Sequence, residues 1–223
     1  MTTQPQSIQV GNANSEIADS NLKIFYKAGG GAALTAGILL LSAMISFISS
    51  VLQPGAINGW LTLFQNNWLI VIFKIHAGFS GVQVDLLHTL NFLDIAFLAL
   101  VGTMVLGLYA ALRRTSRFWS MMAVALPFLG IVLFVATQTA GRSAVMGAGI
   151  VISVVMLRNK TLAKATAYLG ILAIALLLVG DFSTGVLYSN IITTLFGIGY
   201  VLLIIWIILI AFKLFRLGQN TKG

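Results

Sequence analysis

No cysteine occurs in the 223 residues, so the chain carries no disulfide, thiolate metal site, iron–sulfur cluster or cysteine nucleophile. Proline is scarce as well: of three residues, only Pro127 falls inside an apolar run, which it is expected to kink. Charge is the most telling shortage. Asp, Glu, Lys and Arg make up 8% of the chain, against roughly 25% in a water-soluble domain. Catalytic signatures are missing too, with no Gly-rich strand-to-helix phosphate loop, GxSxG elbow or HExxH pair. The run Gly29 to Gly31 lacks the Lys and Ser/Thr of a P-loop. Neither of the two histidines falls in an expected membrane span, which weighs against a bis-histidine haem, and no cofactor is expected.

What the chain has is apolar length. Hydrophobic residues reach 59% and the mean hydropathy is +1.00. The apolar runs are continuous and about 15 to 25 residues long, whereas a membrane β-barrel needs roughly ten-residue alternating segments. The expected fold is therefore all-α, a polytopic transmembrane bundle of six helices with an additional interfacial or re-entrant helix in the first outer loop. The spans are read as 28–52, 91–112, 118–137, 143–157, 164–180 and 191–212. The organisation that follows is a polar cytoplasmic tail over 1–22, a six-helix domain over 23–217 with an outer cap at 53–90, and a short cytoplasmic tail over 218–223. The first tail is rich in Ser, Asn and Gln and lacks the cationic start of a cleavable signal peptide.

Basic residues fall in alternate gaps. Lys23, Lys27, Arg113, Arg114, Arg117, Arg158, Lys160, Lys164, Lys213, Arg216 and Lys222 share one side, leaving Lys74 and Arg142 on the other. The positive-inside rule places both termini in the cytoplasm and the protein in the cell membrane. Aromatic residues agree: Tyr26, Tyr109, Trp119 and Tyr168 fall near inner ends, and Trp60, Trp68 and Tyr188 near outer ones. Tyr200 and Trp206 lie deep in a span, where a hydroxyl needs a partner, so Tyr200 is expected to face other helices. The segment 59–78 is apolar but contains Gln65, Asn66, Asn67, Lys74 and His76, and letting it cross would move nine cations outside. Trp60, Phe64 and Trp68 recur at helical spacing, so it is read as interfacial or re-entrant. The sequon at Asn159 falls in the cytoplasm. Basic gaps spread along the chain suit anionic lipid headgroups, and no nucleic-acid partner is expected.

Small residues mark where helices approach closely, at Gly29, Ala33 and Gly37, at Ser143 and Gly147, and at Gly102, Gly130, Gly170, Gly197 and Gly199. These faces suit packing within the bundle, a protein partner or a second copy. The candidate polar cluster lies outside: Asp85, His88, Asp94, Arg142 and Asp181. Arg142 and Asp181 emerge about 24 and 26 Å from the inner cations, each at the unfavourable end of a helix dipole, and are expected to pair, with Asp94 as second choice. Asp85, His88 and Asn91 step by three, yet one imidazole and one carboxylate fall short of a catalytic zinc site. Asn91 and Asp94 read as a helix N-cap with an acidic third position. No charge sits at mid-depth, which weighs against a proton-coupled transporter.

The reading favoured by these features is a non-enzymatic binding, sensing or accessory component of a membrane assembly. A channel or uniporter for a small neutral solute and an outer-leaflet lipid-modifying enzyme are its rivals. The sidedness has a direct check, because any cysteine introduced is the only one in the chain. Single cysteines at Ser7 and at Thr221 should both resist a membrane-impermeant maleimide in intact cells and react once the cells are permeabilised; labelling of either in intact cells contradicts the expected orientation.

Overall fold

The computed structural model describes residues 7–52, 92–113, 117–136, 138–158, 163–183 and 190–220, with side chains over 22–45, 96–113, 118–134, 143–158, 163–180 and 194–219. The described residues form six helices and no strand: α1 (Ser7–Leu52), α2 (Phe92–Leu112), α3 (Arg117–Ala136), α4 (Gln138–Arg158), α5 (Lys164–Ser183) and α6 (Asn190–Asn220). The all-helical class expected from the apolar runs is therefore present. Two helices, over Leu22–Ile45 and Thr194–Gln219, are long and apolar enough to cross a membrane; the shorter apolar stretches are Ala96–Leu112, Phe118–Phe134, Ser143–Arg158 and Lys164–Gly180. The expected interfacial element at 59–78 and the outer cap at 53–90 lie outside the described residues.

Three boundaries differ from expectation, one of them the end of α6, which runs to Asn220 and takes in part of the segment 218–223 read as a tail. α1 begins at Ser7, so much of the segment read as a tail is helical. Polar Asn and Ser residues suggest a tail, but no proline interrupts the chain between Pro5 and Pro54, and a helix needs no apolar face to continue. α4 begins at Gln138, which moves Arg142 from a helix start into the second turn. α2 begins at Phe92, keeping Asp94 in its first turn as the capping pattern predicted.

Each helix packs on the next in sequence, and α6 packs back on α1, closing a ring. Glycine contacts give the directions. A Cβ at Gly29 of α1 would lie 2.7 Å from the Gly107 Cα of α2, and one at Gly107 would lie 2.8 Å from the Gly29 Cα. The two backbones thus touch where neither residue has a side chain, and Tyr26, one turn away, donates a hydrogen bond to the Ala110 carbonyl at 3.2 Å. Gly30 and Gly37 of α1 face Phe215 and Ile208 of α6 at 3.2 and 3.1 Å. A Cβ at Gly130 of α3 would lie 2.9 Å from the Val145 nitrogen of α4, and one at Gly199 of α6 would lie 2.9 Å from the Leu176 Cβ of α5. In every pair, low numbers on one helix meet high numbers on the other, so all neighbours are antiparallel. Leu214 of α6 wedges between Gly29 and Gly107 and is fully buried.

Alternating direction gathers Lys23, Lys27, Arg113, Arg158, Lys164, Lys213 and Arg216 at one end of the ring. Arg158 lies over the Trp119 ring at 5.0 Å, and Gly218 rests on Tyr26 and the Lys27 stem. At the same end Ser120 donates to the Leu112 carbonyl at 2.8 Å, satisfying an orphan acceptor in the last turn of α2. The small-residue expectations divide. Gly29, Ala33, Gly37, Gly130, Gly170 and Gly199 do face neighbours, whereas a Cβ at Gly147 or Gly197 would meet nothing within 4 Å. Spacing alone does not tell an inward stripe from an outward one.

The backbone contact makes a sharp contrast testable. Gly29→Ala should destabilise the fold by about 1–3 kcal/mol, since overpacking forces the backbones apart. Gly147→Ala, with open space around it, should be neutral or slightly stabilising. Unfolding titrations of both variants in mixed micelles with a denaturing detergent report the difference.

Candidate functional site, a central apolar cavity

The ring leaves a hole. A cavity of about 130 Å³ lies at its centre and draws lining residues from every helix: Leu40 of α1, Phe97, Val101 and Val105 of α2, Pro127 and Phe134 of α3, Met146, Gly149 and Ile152 of α4, Ile174 and Leu177 of α5, and Tyr200, Leu203 and Trp206 of α6. The wedge of Gly29, Gly107 and Leu214 closes the ring toward its basic end. From the cations to these residues is about 10 to 25 Å of helix at 1.5 Å per residue, so the cavity occupies the middle and the far half of the bundle.

Sequence chemistry explains the apolar lining. The helices are largely apolar, and two threonine hydroxyls in them are consumed locally: Thr35 bonds the Gly31 carbonyl at 3.0 Å and Thr103 bonds the Ala99 carbonyl at 2.8 Å. Ser120 serves the Leu112 carbonyl. None of these hydroxyls lines the cavity. Its polar contributors are the two aromatic residues already singled out by depth. Tyr200 is buried, as expected from its depth in the span, with its ring 6.4 Å from that of Phe196.

Trp206 joins three helices. Its indole edge rests on Gly170 of α5, where a Cβ would overlap both the indole nitrogen and the Ser153 hydroxyl of α4. Trp206 and Ser153 are buried, and neither Trp206 Nε1 nor Ser153 Oγ has a hydrogen-bond partner among the described residues. Gly170 was legible as a close-approach point; the serine and tryptophan that use the space were not, because they come from other helices. Gly149 of α4 makes the same kind of room for Ile174, whose Cδ1 would lie 2.5 Å from an added Cβ.

Asp85 and His88 lie outside the described residues, and the side chains of Asp94, Arg142 and Asp181 do as well. Their backbones, in the first turn of α2, the second turn of α4 and the last turn of α5, run to the end of the ring opposite the cations. The pairing of Arg142 with Asp181 falls on undescribed side chains. The chain matches no protein-family model, no curated protein and no solved structure.

The unpartnered Ser153 hydroxyl carries a desolvation cost. Ser153→Ala should therefore raise stability by about 1 kcal/mol, the reverse of the usual core truncation, because it removes an unsatisfied buried group. A fall in the unfolding midpoint of that variant would mean that the hydroxyl is bonded.

Proposed function

We propose that the chain is a six-span membrane protein of the cell membrane, with both termini cytoplasmic, that acts as a non-enzymatic binding component holding an apolar group at the centre of its helix ring. Membrane immersion of all six helices is supported by their outward faces. Ile38, Leu106, Val132, Val154, Leu172 and Val201, one from each helix, are all exposed. A water-soluble bundle rarely displays such continuous apolar surface. α2 to α5 have 20 or 21 residues each, about 30 Å of helix, which matches the thickness of the hydrocarbon core. The basic end, with Trp119 and Tyr168 partly or largely exposed beside its cations, is the cytoplasmic face by the positive-inside rule.

The observation that carries the binding reading is the cavity lined by all six helices. Its volume is close to that of the engineered cavity of roughly 150 Å³ that stays dry and takes up benzene. Its walls offer no row of hydroxyls or carbonyls to replace water around a polar solute, which favours binding over conduction. No catalytic set adjoins it among the described residues, and the small residues expected to recruit a partner at Gly29, Ala33 and Gly37 are spent inside the ring.

Trp206 is a built-in reporter. In a variant with Trp60, Trp68 and Trp119 replaced by Phe, bromobenzene should quench the remaining emission saturably. Adding Val101→Phe, which fills the cavity from α2, should remove the saturable part. Linear quenching that is indifferent to Val101→Phe would count against an occupied centre.

A further inference from the structure

Five of the six seams in the ring are closed by a glycine that brings the neighbouring helix in tight. A Cβ would meet the next helix at 2.7 Å from Gly29, 3.1 Å from Gly37, 2.9 Å from Gly130, 2.5 Å from Gly149 and 2.9 Å from Gly199. The α2–α3 seam is different. There a Cβ on Gly102 would meet only side-chain atoms, the Phe128 ring at an ordinary 3.5 Å and the Ile131 Cδ1 at 4.0 Å, and α2 and α3 share the least extensive contact of any neighbouring pair. What fills this seam is a side chain in place of backbone contact, and Phe128 is more than one-third exposed on the outer surface. The cavity lies directly behind it, because Val101 precedes Gly102 and Pro127 precedes Phe128, and both line the void. Pro127 also removes a hydrogen bond from α3 at this level, lowering the resistance of that helix to bending.

We infer that the cavity is loaded sideways from the bilayer, between α2 and α3, and that its occupant is the hydrocarbon chain of a membrane lipid. This rests on the binding reading of the central cavity and adds the ligand class and its route. The seam opens among exposed aliphatic and aromatic side chains, Leu106, Phe128, Leu129 and Val132, so in a membrane the medium at its mouth is acyl chain. The cavity walls are apolar, so a chain segment enters without desolvation, and no polar guest has a row of partners there. Swinging the Phe128 ring is a rotamer change, whereas opening any other seam must separate packed backbones or buried side chains.

The same single-tryptophan protein tests this. Reconstituted into vesicles of phosphatidylcholine brominated on its acyl chains, it should lose most of its Trp206 emission relative to unbrominated vesicles, although Trp206 is only 3% exposed. On rapid mixing with micelles of a brominated alkyl maltoside, Phe128→Ala, which empties the seam, should quench several-fold faster than the parent. Gly102→Leu, which crowds the Phe128 ring, should quench several-fold slower. Quenching by bromobenzene without quenching by brominated chains would overturn the chain as occupant and leave the cavity reading standing. Brominated-chain quenching at equal rates in both variants would overturn the route. Absence of quenching by either probe would remove the cavity reading and this inference together.

Discussion

Contact between two helix backbones, made possible where Gly29 and Gly107 both lack a side chain, sets the arrangement of the rest. Inside a bilayer, lipid tails are as apolar as leucine, so no hydrophobic force draws helices together and close packing must do so. The Gly29–Gly107 crossing lets α1 and α2 meet, places Tyr26 within reach of the Ala110 carbonyl, and leaves a notch that Leu214 of α6 fills. Three helices are thereby fixed at the basic end. Gly130, Gly149 and Gly199 then carry the contact around the remaining helices in turn.

The cavity lies beyond that crossing, where Phe97, Phe134, Tyr200 and Trp206 are among the side chains that line it. Polar groups do not intrude, because threonines bond within their own helices and Ser120 serves the end of α2. Trp206 is both wall and clasp: one face borders the void and its edge presses on Gly170 beside Ser153. The indole nitrogen and the Ser153 hydroxyl at that clasp are buried without a hydrogen-bond partner among the described residues, and they sit where α4, α5 and α6 meet.

Much of this was legible in the amino-acid order, and the rest was not for identifiable reasons. Long apolar runs identified all six helices, since a run of that length has no other stable form in lipid. Alternating cations anticipated the basic end, now seen with Arg158 stacked on Trp119. Gly29 and Gly37 were found from their spacing. Gly107 was missed because it stands alone, and its meaning comes from a partner 78 positions away. Gly147 faces open space within the single chain, which spacing could not tell, since a small residue looks the same whether it faces a neighbour or not. The helical extension of α1 to Ser7 escaped because polar composition was taken for a tail. The cavity could not be read at all: it is the space left between residues of six helices, and no local pattern encodes it.

The claim on which all of this turns is that α2, α3, α4 and α5 cross the membrane together with the two longer apolar helices. Amide hydrogen exchange on the protein reconstituted in lipid vesicles tests it most directly. Six blocks of amides protected for hours, one within each helix, with α3 and α4 as slow as Leu22–Ile45 and Thr194–Gln219, is the expected result. Slow exchange confined to those two segments, with the other four helices exchanging as water-exposed structure does, would contradict the six-span ring and the cavity inside it.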